Sequence, residues 1–339
     1  MTTPAAPATA VPAPQAAVKA MYDPQSLTIR ITYKCNIGCR FCYNTSLLGS
    51  DITLDEERML TMIREAREAG ITRMGISGGE AFLFAKQVVN MIKLAKEIGF
   101  TTVSIVTNGF WGKSEKSTEN LLAMLKDAKF GPPNDMLSMS GGEYHQEWIP
   151  PSYAANIIRA YQAAYKMPFT IDFEYSNGKE HLVDEFKAFL KGEGIPDAWY
   201  KVRIRTFIAP LGRGKDLAEG STTAKSPNAY AKCNAINRFV VQPDGHVVPC
   251  CGFNRFNPGI NLGNIYEQSV AEVIKAGNTS IVNRYLTHVA LRDIYKELAA
   301  HFDLPKEYAA NCELCEALFA KPEHIEHLTK VAAKFLPPE

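Results

Sequence analysis

The chain has 339 residues and is close to neutral, with 37 Lys and Arg against 36 Asp and Glu and a formal net charge of +1. Such a length can bury a large core and has room for one big domain and a smaller one. The even balance gives no electrostatic case for a nucleic-acid partner, and no apolar run approaches the roughly eighteen residues of a membrane span.

The first twenty residues are rich in Ala, Pro and Thr, with Pro4, Pro7, Pro12 and Pro14 and no charge before Lys19. We read residues 1–25 as a disordered tail and not as a signal peptide. Eight cysteines in a chain this long make no disulfide framework. Their grouping, without an export signal, fits a reducing cytoplasm in which thiolates can bind metal.

Residues 27–33 (LTIRITY) predict a first strand, which runs into Cys35, Cys39 and Cys42. Thr53 and Glu56 have the spacing of a capping box, opening a helix through Met59, Ile63 and Ala66 that stops at Gly70. A short strand at 72–76 ends on Ser77-Gly78-Gly79-Glu80, and a helix at 85–98 stops at Gly99. The β-branched run 101–107 ends on Asn108-Gly109. Helices near 117–129, 153–165 and 182–190 alternate with strands at 136–140, 169–175 and 202–208. Six strands with helices between them predict βα units around a mainly parallel sheet. Each polar or Gly-rich stretch falls just after a strand, where barrel-like α/β folds place their active sites.

Cys35, Cys39 and Cys42 are spaced C-x3-C-x-aromatic-C, with Phe41 as the aromatic. Three thiolates this close can hold three corners of an iron–sulfur cluster and leave one iron open to a non-protein ligand. The alternatives are a zinc knuckle or three core cysteines, but zinc sites favour paired C-x2-C knuckles, and the next cysteine is Cys233. Two glycines let backbone approach closely, and a carboxylate beside them can take an ammonium group. On the fifth predicted strand Asp172 and Glu174 share a face, as do Arg203 and Arg205 on the sixth. Inward carboxylates are costly unless paired or used, so a Glu174–Arg205 pair is expected near a ligand. Ser138, Ser140, Glu143, His145 and Gln146 gather at and after the fourth strand; for His145 a satisfied surface or core role is the simpler expectation.

From Pro210 the texture changes to a Gly-rich polar loop (PLGRGKDLAEGS). Cys233 follows, then a hairpin of 239–241 and 246–248 turning at Asp244-Gly245, then Cys250. Cys312 and Cys315 form a C-x2-C pair near the end. These four cysteines could close one [4Fe–4S] cluster, or a four-cysteine zinc site. Residues 324–335 read as a closing helix with a packing role. Cys251 is either a small buried hydrophobe or a thiol hydrogen donor.

The cysteine trio followed one βα unit later by Gly-Gly-Glu resembles the radical S-adenosylmethionine (SAM) superfamily. The spacing from Cys233 to Cys250 and the Cys312–Cys315 pair are similar to its C-terminal SPASM and Twitch domains. The resemblance implies an α/β fold, a partial (β/α)6 barrel followed by a small Cys-rich Twitch/SPASM-like domain. The divisions expected are a barrel at 26–210, an auxiliary-cluster domain at 211–320 and a C-terminal helix at 321–339. It implies a [4Fe–4S] cluster on Cys35, Cys39 and Cys42, and SAM bound with Phe41, Ser77, Gly78, Gly79, Glu80, Asn108, Ser140, Glu174 and Arg205. A second [4Fe–4S] cluster would sit on Cys233, Cys250, Cys312 and Cys315, with one cluster fitting the shorter Twitch form. Cys251, in a loop that the resemblance places at the barrel mouth, would be the catalytic hydrogen donor if the enzyme is a peptide epimerase. The activity implied is reductive cleavage of SAM to a 5′-deoxyadenosyl radical that takes a hydrogen from substrate. The substrate expected is a ribosomally made precursor peptide, with a small-molecule intermediate as the alternative and a flavodoxin or ferredoxin as reductant. A non-catalytic electron carrier is disfavoured by the Gly-Gly-Glu motif and the open iron.

Overall fold

The computed structural model describes residues 21–46, 48–205, 208, 210–217, 224–250 and 257–337. The first half alternates strand and helix: β1 (Ser26–Arg30), α1 (Glu56–Glu68), β2 (Arg73–Ser77), α2 (Ala85–Glu97), β3 (Thr102–Thr107) and α3 (Glu115–Asp127). It continues through β4 (Met136–Gly142), α4 (Glu143–Gln146), α5 (Pro151–Tyr165), β5 (Phe169–Glu174), α6 (His181–Gly192) and β6 (Tyr200–Arg205). The second half adds β7 (Phe239–Val241), β8 (His246–Val248), β9 (Gly263–Asn264), α7 (Val270–Thr279) and α8 (Ile281–His288). It closes with α9 (Leu291–Ala299), α10 (Asn311–Phe319) and α11 (Pro322–Lys330).

The strands form one sheet in the order β6-β5-β4-β3-β2-β1-β7-β8-β9. Strands β1 to β6 are mutually parallel, as six βα units require, and β7 adds to β1 in parallel. The hairpin partners β8 and β9 are antiparallel. The auxiliary segment therefore extends the barrel sheet instead of standing apart from it.

The alternation of β4 and β5 separates the faces. Leu137, Met139, Ile171 and Phe173 are buried in the main core with α5 and α6, where Phe173 meets Phe186 at 5.2 Å between ring centroids. Each such side chain removed from water stabilises the fold by roughly 1.5–3 kcal/mol. The opposite face carries the register neighbours Val106, Ser138 and Thr170, then Ser140, Asp172 and Arg203. Val106 there is 41 % exposed, so helices leave this face open. A second core joins Tyr230, Val248, Tyr285, Leu298, Phe319 and Leu328 beneath α8 to α11.

Three expectations change. Helix α1 is capped by Asp55, which accepts from Arg58 N–H, and not by Thr53. Thr53 instead bridges Thr32, its hydroxyl 2.9 Å from the Thr32 hydroxyl, while Glu56 accepts from Asn90. The spacing was right for a cap, but pairing with the end of β1 is the stronger use of an extended residue. Residues 22–25, expected to belong to the tail, are part of the fold. Tyr22 is buried, donates its hydroxyl to Arg238 O at 2.7 Å and is held by Asn278, because Gly277 leaves space for its ring. The closing helix expected at 324–335 runs over Pro322–Lys330, with His324 and Leu328 buried.

Candidate active site

The loop after β1 is pinched at its neck. Tyr33 N–H donates to Ile52 O at 3.0 Å and Leu54 N–H to Ile31 O at 2.8 Å, closing residues 34–51 into a loop with Cys35, Cys39 and Cys42 on it. The seven described cysteines form no disulfide. Cys35 and Cys39 are buried, and desolvation first of all raises their thiol pKa values, to about 11 and about 12. The neighbouring cysteines push the same way, so ionising Cys35 and Cys39 calls for a cation beside them.

Arg213 braces the loop from below the trio. Its guanidinium donates to Cys39 O at 3.0 and 2.8 Å and to Ser46 O at 2.6 Å, and its backbone N–H to Cys42 O at 3.1 Å. Gly212, at φ +54°, lies so close that a Cβ would stand 2.6 Å from Cys42 O. In the sequence this PLGRG stretch reads only as a Gly-rich polar loop; its glycine-arginine pair was the available signal. On the other side Arg30 donates to Asn44 Oδ1 at 2.5 Å, and Asn44 donates to Gly78 O at 3.3 Å. Phe41 packs against Tyr43 and Tyr144, with centroids 5.8 and 5.9 Å away, and Gly38 abuts Trp148.

Gly78-Gly79-Glu80 is pressed against the same loop. Gly79 N–H donates to Thr32 O at 2.6 Å and Glu80 N–H to Lys34 O at 2.9 Å. A Cβ on Gly79 would lie 2.0 Å from Lys34 O, and Gly78 holds φ at +149° beside Thr32. Here the crowding that demands glycine comes from protein backbone. Ser77 O accepts from Ile31 N–H at 2.9 Å at the end of β2. Glu80 is buried, and its carboxylate accepts from Phe82 N–H at 2.9 Å, the Thr107 hydroxyl at 2.8 Å and Asn108 N–H at 2.6 Å. Burial raises its pKa to about 7, although those three donors oppose the rise. Asn108 carries the chain of contacts on, its amide reaching Asn36 Oδ1 at 2.8 Å and Cys35 Sγ at 3.7 Å. Glu80 thus links the ends of β2 and β3 to the cysteine loop.

Because the six strands are parallel, all these segments gather at one end of the sheet. Ser140 is partly buried on the open face, beside Asp172 in register. Arg203 grips Asp172 with two parallel bonds of 2.8 and 2.7 Å. Glu174 stands opposite Arg205 in the β5–β6 register. His145 departs from its expected satisfied role. It is 2 % exposed on α4, and neither ring nitrogen has a hydrogen-bond partner among the described residues. Burial lowers its pKa to about 4, so the imidazole is neutral.

Of the second cysteine set, Cys250 and Cys315 pack against the second core, and Cys312 packs with Tyr43 against Leu211 and Ala310. Tyr43 follows Cys42, so Cys312 borders the first cysteine loop. Strand β8 runs back along β7, which puts Cys250 beside the beginning of the parallel strands, near Tyr22, and not at the mouth. Cys251, expected at the mouth, lies outside the described residues.

Residues 29–171 match the radical SAM superfamily, and residues 233–316 match the SPASM iron–sulfur cluster-binding domain. The chain is a radical SAM superfamily enzyme with a SPASM domain, and its cofactors are SAM and iron–sulfur clusters. It is 23 % identical over 331 residues to YydG of Bacillus subtilis (strain 168), a protein named for peptide biosynthesis, covering 93 % of this chain and 98 % of that one. A protein of Sulfolobus acidocaldarius named for GTP 3′,8-cyclase activity is 24 % identical over 252 residues, 68 % of this chain and 77 % of its own. The fold is similar to Streptococcus suis SuiB bound to S-adenosylmethionine, with a TM-score of 0.54 at 13 % identity over 86 % of this chain and 77 % of SuiB. SuiB has also been solved bound to its precursor peptide SuiA, with a TM-score of 0.53 at 14 % identity, over 86 % of this chain and 76 % of that one.

The donor set fits a cluster on the first loop. Three sulfurs lie on one closed loop, and burial and neighbouring thiols keep Cys35 and Cys39 protonated, a penalty that bound iron would offset. No described helix is long and apolar enough to cross a membrane.

Proposed function

We propose that this protein modifies a ribosomally made peptide by epimerisation or cross-linking. The observation that carries this reading is the end-to-end similarity to YydG, over 93 % of this chain. In this reading Cys35, Cys39 and Cys42 hold a [4Fe–4S] cluster, and Cys233, Cys250, Cys312 and Cys315 hold the auxiliary one. Bound cluster and SAM supply a 5′-deoxyadenosyl radical that removes a substrate hydrogen. The chain's own residues fix the loop and shape the cofactor's surroundings: Arg213 holds the backbone carbonyls of Cys39 and Cys42, Asn108 reaches the Cys35 sulfur and the Asn36 side chain, and Ser77, Gly78 and Gly79 form the adjoining wall. Ser140, Asp172 and Arg203 line the open face where substrate would lie, beside Glu174 and the backbone of Arg205. Cys251 is the candidate donor that returns hydrogen in an epimerisation. A cytoplasmic location and a flavodoxin- or ferredoxin-type reductant belong to the same reading.

A small-molecule substrate is the second reading, favoured by the similarity to a protein named for GTP 3′,8-cyclase activity. Anaerobic incubation with SAM, dithionite and the product of any short peptide-encoding frame found beside the gene separates the two. Peptide modification predicts 5′-deoxyadenosine formed with a changed peptide; epimerisation predicts one deuterium gained in deuterated water, lost in Cys251→Ala. An unchanged peptide, with 5′-deoxyadenosine released at the rate seen without it, contradicts the peptide reading.

A further inference from the structure

Away from every cysteine, three metal-binding side chains meet where α11 crosses α9. Glu297 lies on α9, and His301 follows at the (i, i+4) spacing that puts both on one side of the turn. His327 comes from α11. His327 Nε2 is 3.0 Å from Glu297 Oε1, and His301 Nε2 is 3.8 Å from the same oxygen. The candidate ligand atoms of the three all lie within 4.8 Å of one another.

The two oxygens of Glu297 divide their work. Oε2 accepts from Lys334 Nζ at 2.6 Å, which leaves Oε1 facing both imidazoles. The His301 and His327 rings are 4.3 Å apart between centroids, and Phe302 walls the cluster, its ring edge-on to His327 at 5.8 Å. Zinc bonds nitrogen and oxygen at about 2.0–2.2 Å, which sets tetrahedral neighbours about 3.3 Å apart. The two measured separations bracket that value, and His301 is the exposed member that can close the difference. A lysine on the outer carboxylate oxygen is the kind of second partner that orients a metal-bound carboxylate.

We propose that Glu297, His301 and His327 form a binding site for zinc or a similar divalent transition-metal ion. Three protein ligands leave a position for water, and the ion ties the last helix, α11, to α9. Imidazole and carboxylate donors suit zinc, but thiolates bind it too, so the cysteine sites are filled with iron before zinc is added.

The test uses untagged, cluster-loaded protein given one equivalent of zinc and then desalted. We expect one zinc retained, a zinc-edge X-ray absorption spectrum showing nitrogen and oxygen neighbours with imidazole scattering, and no sulfur shell. His301→Ala and His327→Ala should each weaken zinc binding by at least roughly ten-fold, the lower bound for losing even an outer partner. Iron content should be unchanged in both, and zinc should raise the Tm of the natural protein but not of the variants. If His327→Ala fails to fold, the exposed His301 still decides the matter. Zinc lost on desalting, zinc with sulfur neighbours, or His301→Ala binding zinc as tightly as the natural protein would overturn the proposal.

Discussion

Glu80 is a buried carboxylate whose oxygens already accept from Phe82, Thr107 and Asn108. Its folded pKa, raised by burial from the ordinary 4.5 to about 7, favours the protonated form in the native state. The stability this contributes is full below about pH 4.5 and is lost as pH rises through about 7. Urea unfolding of the natural protein should therefore show stability falling across that window, by on the order of 3 kcal/mol from this group. Glu80→Gln should flatten the fall; an unchanged slope would contradict the assignment. Arg213 is the other decisive residue, since its guanidinium serves Cys39 O and Ser46 O together. Arg213→Ala should leave the fold intact but lower the iron held by the first loop, and Arg213→Lys should rescue only part, because an ammonium lacks the planar fork. Iron analysis showing full content in Arg213→Ala would contradict this bracing role.

The loops between elements carry most of the site. The strand and helix positions were legible because apolar periodicity is local: the predicted strand at 101–107 is found at Thr102–Thr107, and the hairpin at 239–241 and 246–248 is unchanged. The cysteine trio was legible for the same reason, being one short run. Contacts between distant segments were not. Nothing in the local spacing shows that Gly79 lies against Lys34, or that Arg213 reaches back to Cys39 across the barrel sequence. Nor does it show that the ring nitrogens of His145 find no partner among the described residues. The glycine pair gives an element-scale prediction. Gly79→Ala would put Cβ 2.0 Å from Lys34 O, so the strand ends must separate. We expect SAM binding and first-loop iron to be lost together, whereas Gly49→Ala, with open space around its Cβ, should change neither. Calorimetric SAM affinity in Gly79→Ala equal to that of the natural protein would show that the two loops need not touch.

At the scale of the molecule, one nine-stranded sheet joins the barrel to the second cysteine set. Composition and motif order pointed to two cluster-bearing segments, but not to their sharing a sheet through β1 and β7, which is a long-range pairing. Cys312 and Tyr43 pack against the same pair, Leu211 and Ala310, whereas Cys250 lies beside the beginning of the parallel strands. The central claim is that Cys35, Cys39 and Cys42 alone hold the cluster that cleaves SAM, while Cys233, Cys250, Cys312 and Cys315 hold another. Its most direct test is iron content and 5′-deoxyadenosine formation in anaerobically reconstituted protein. The natural chain should hold about eight irons, from two [4Fe–4S] clusters. The Cys35→Ala, Cys39→Ala, Cys42→Ala triple variant should keep roughly half of that iron and form no 5′-deoxyadenosine; a triple variant that still cleaves SAM would contradict the account.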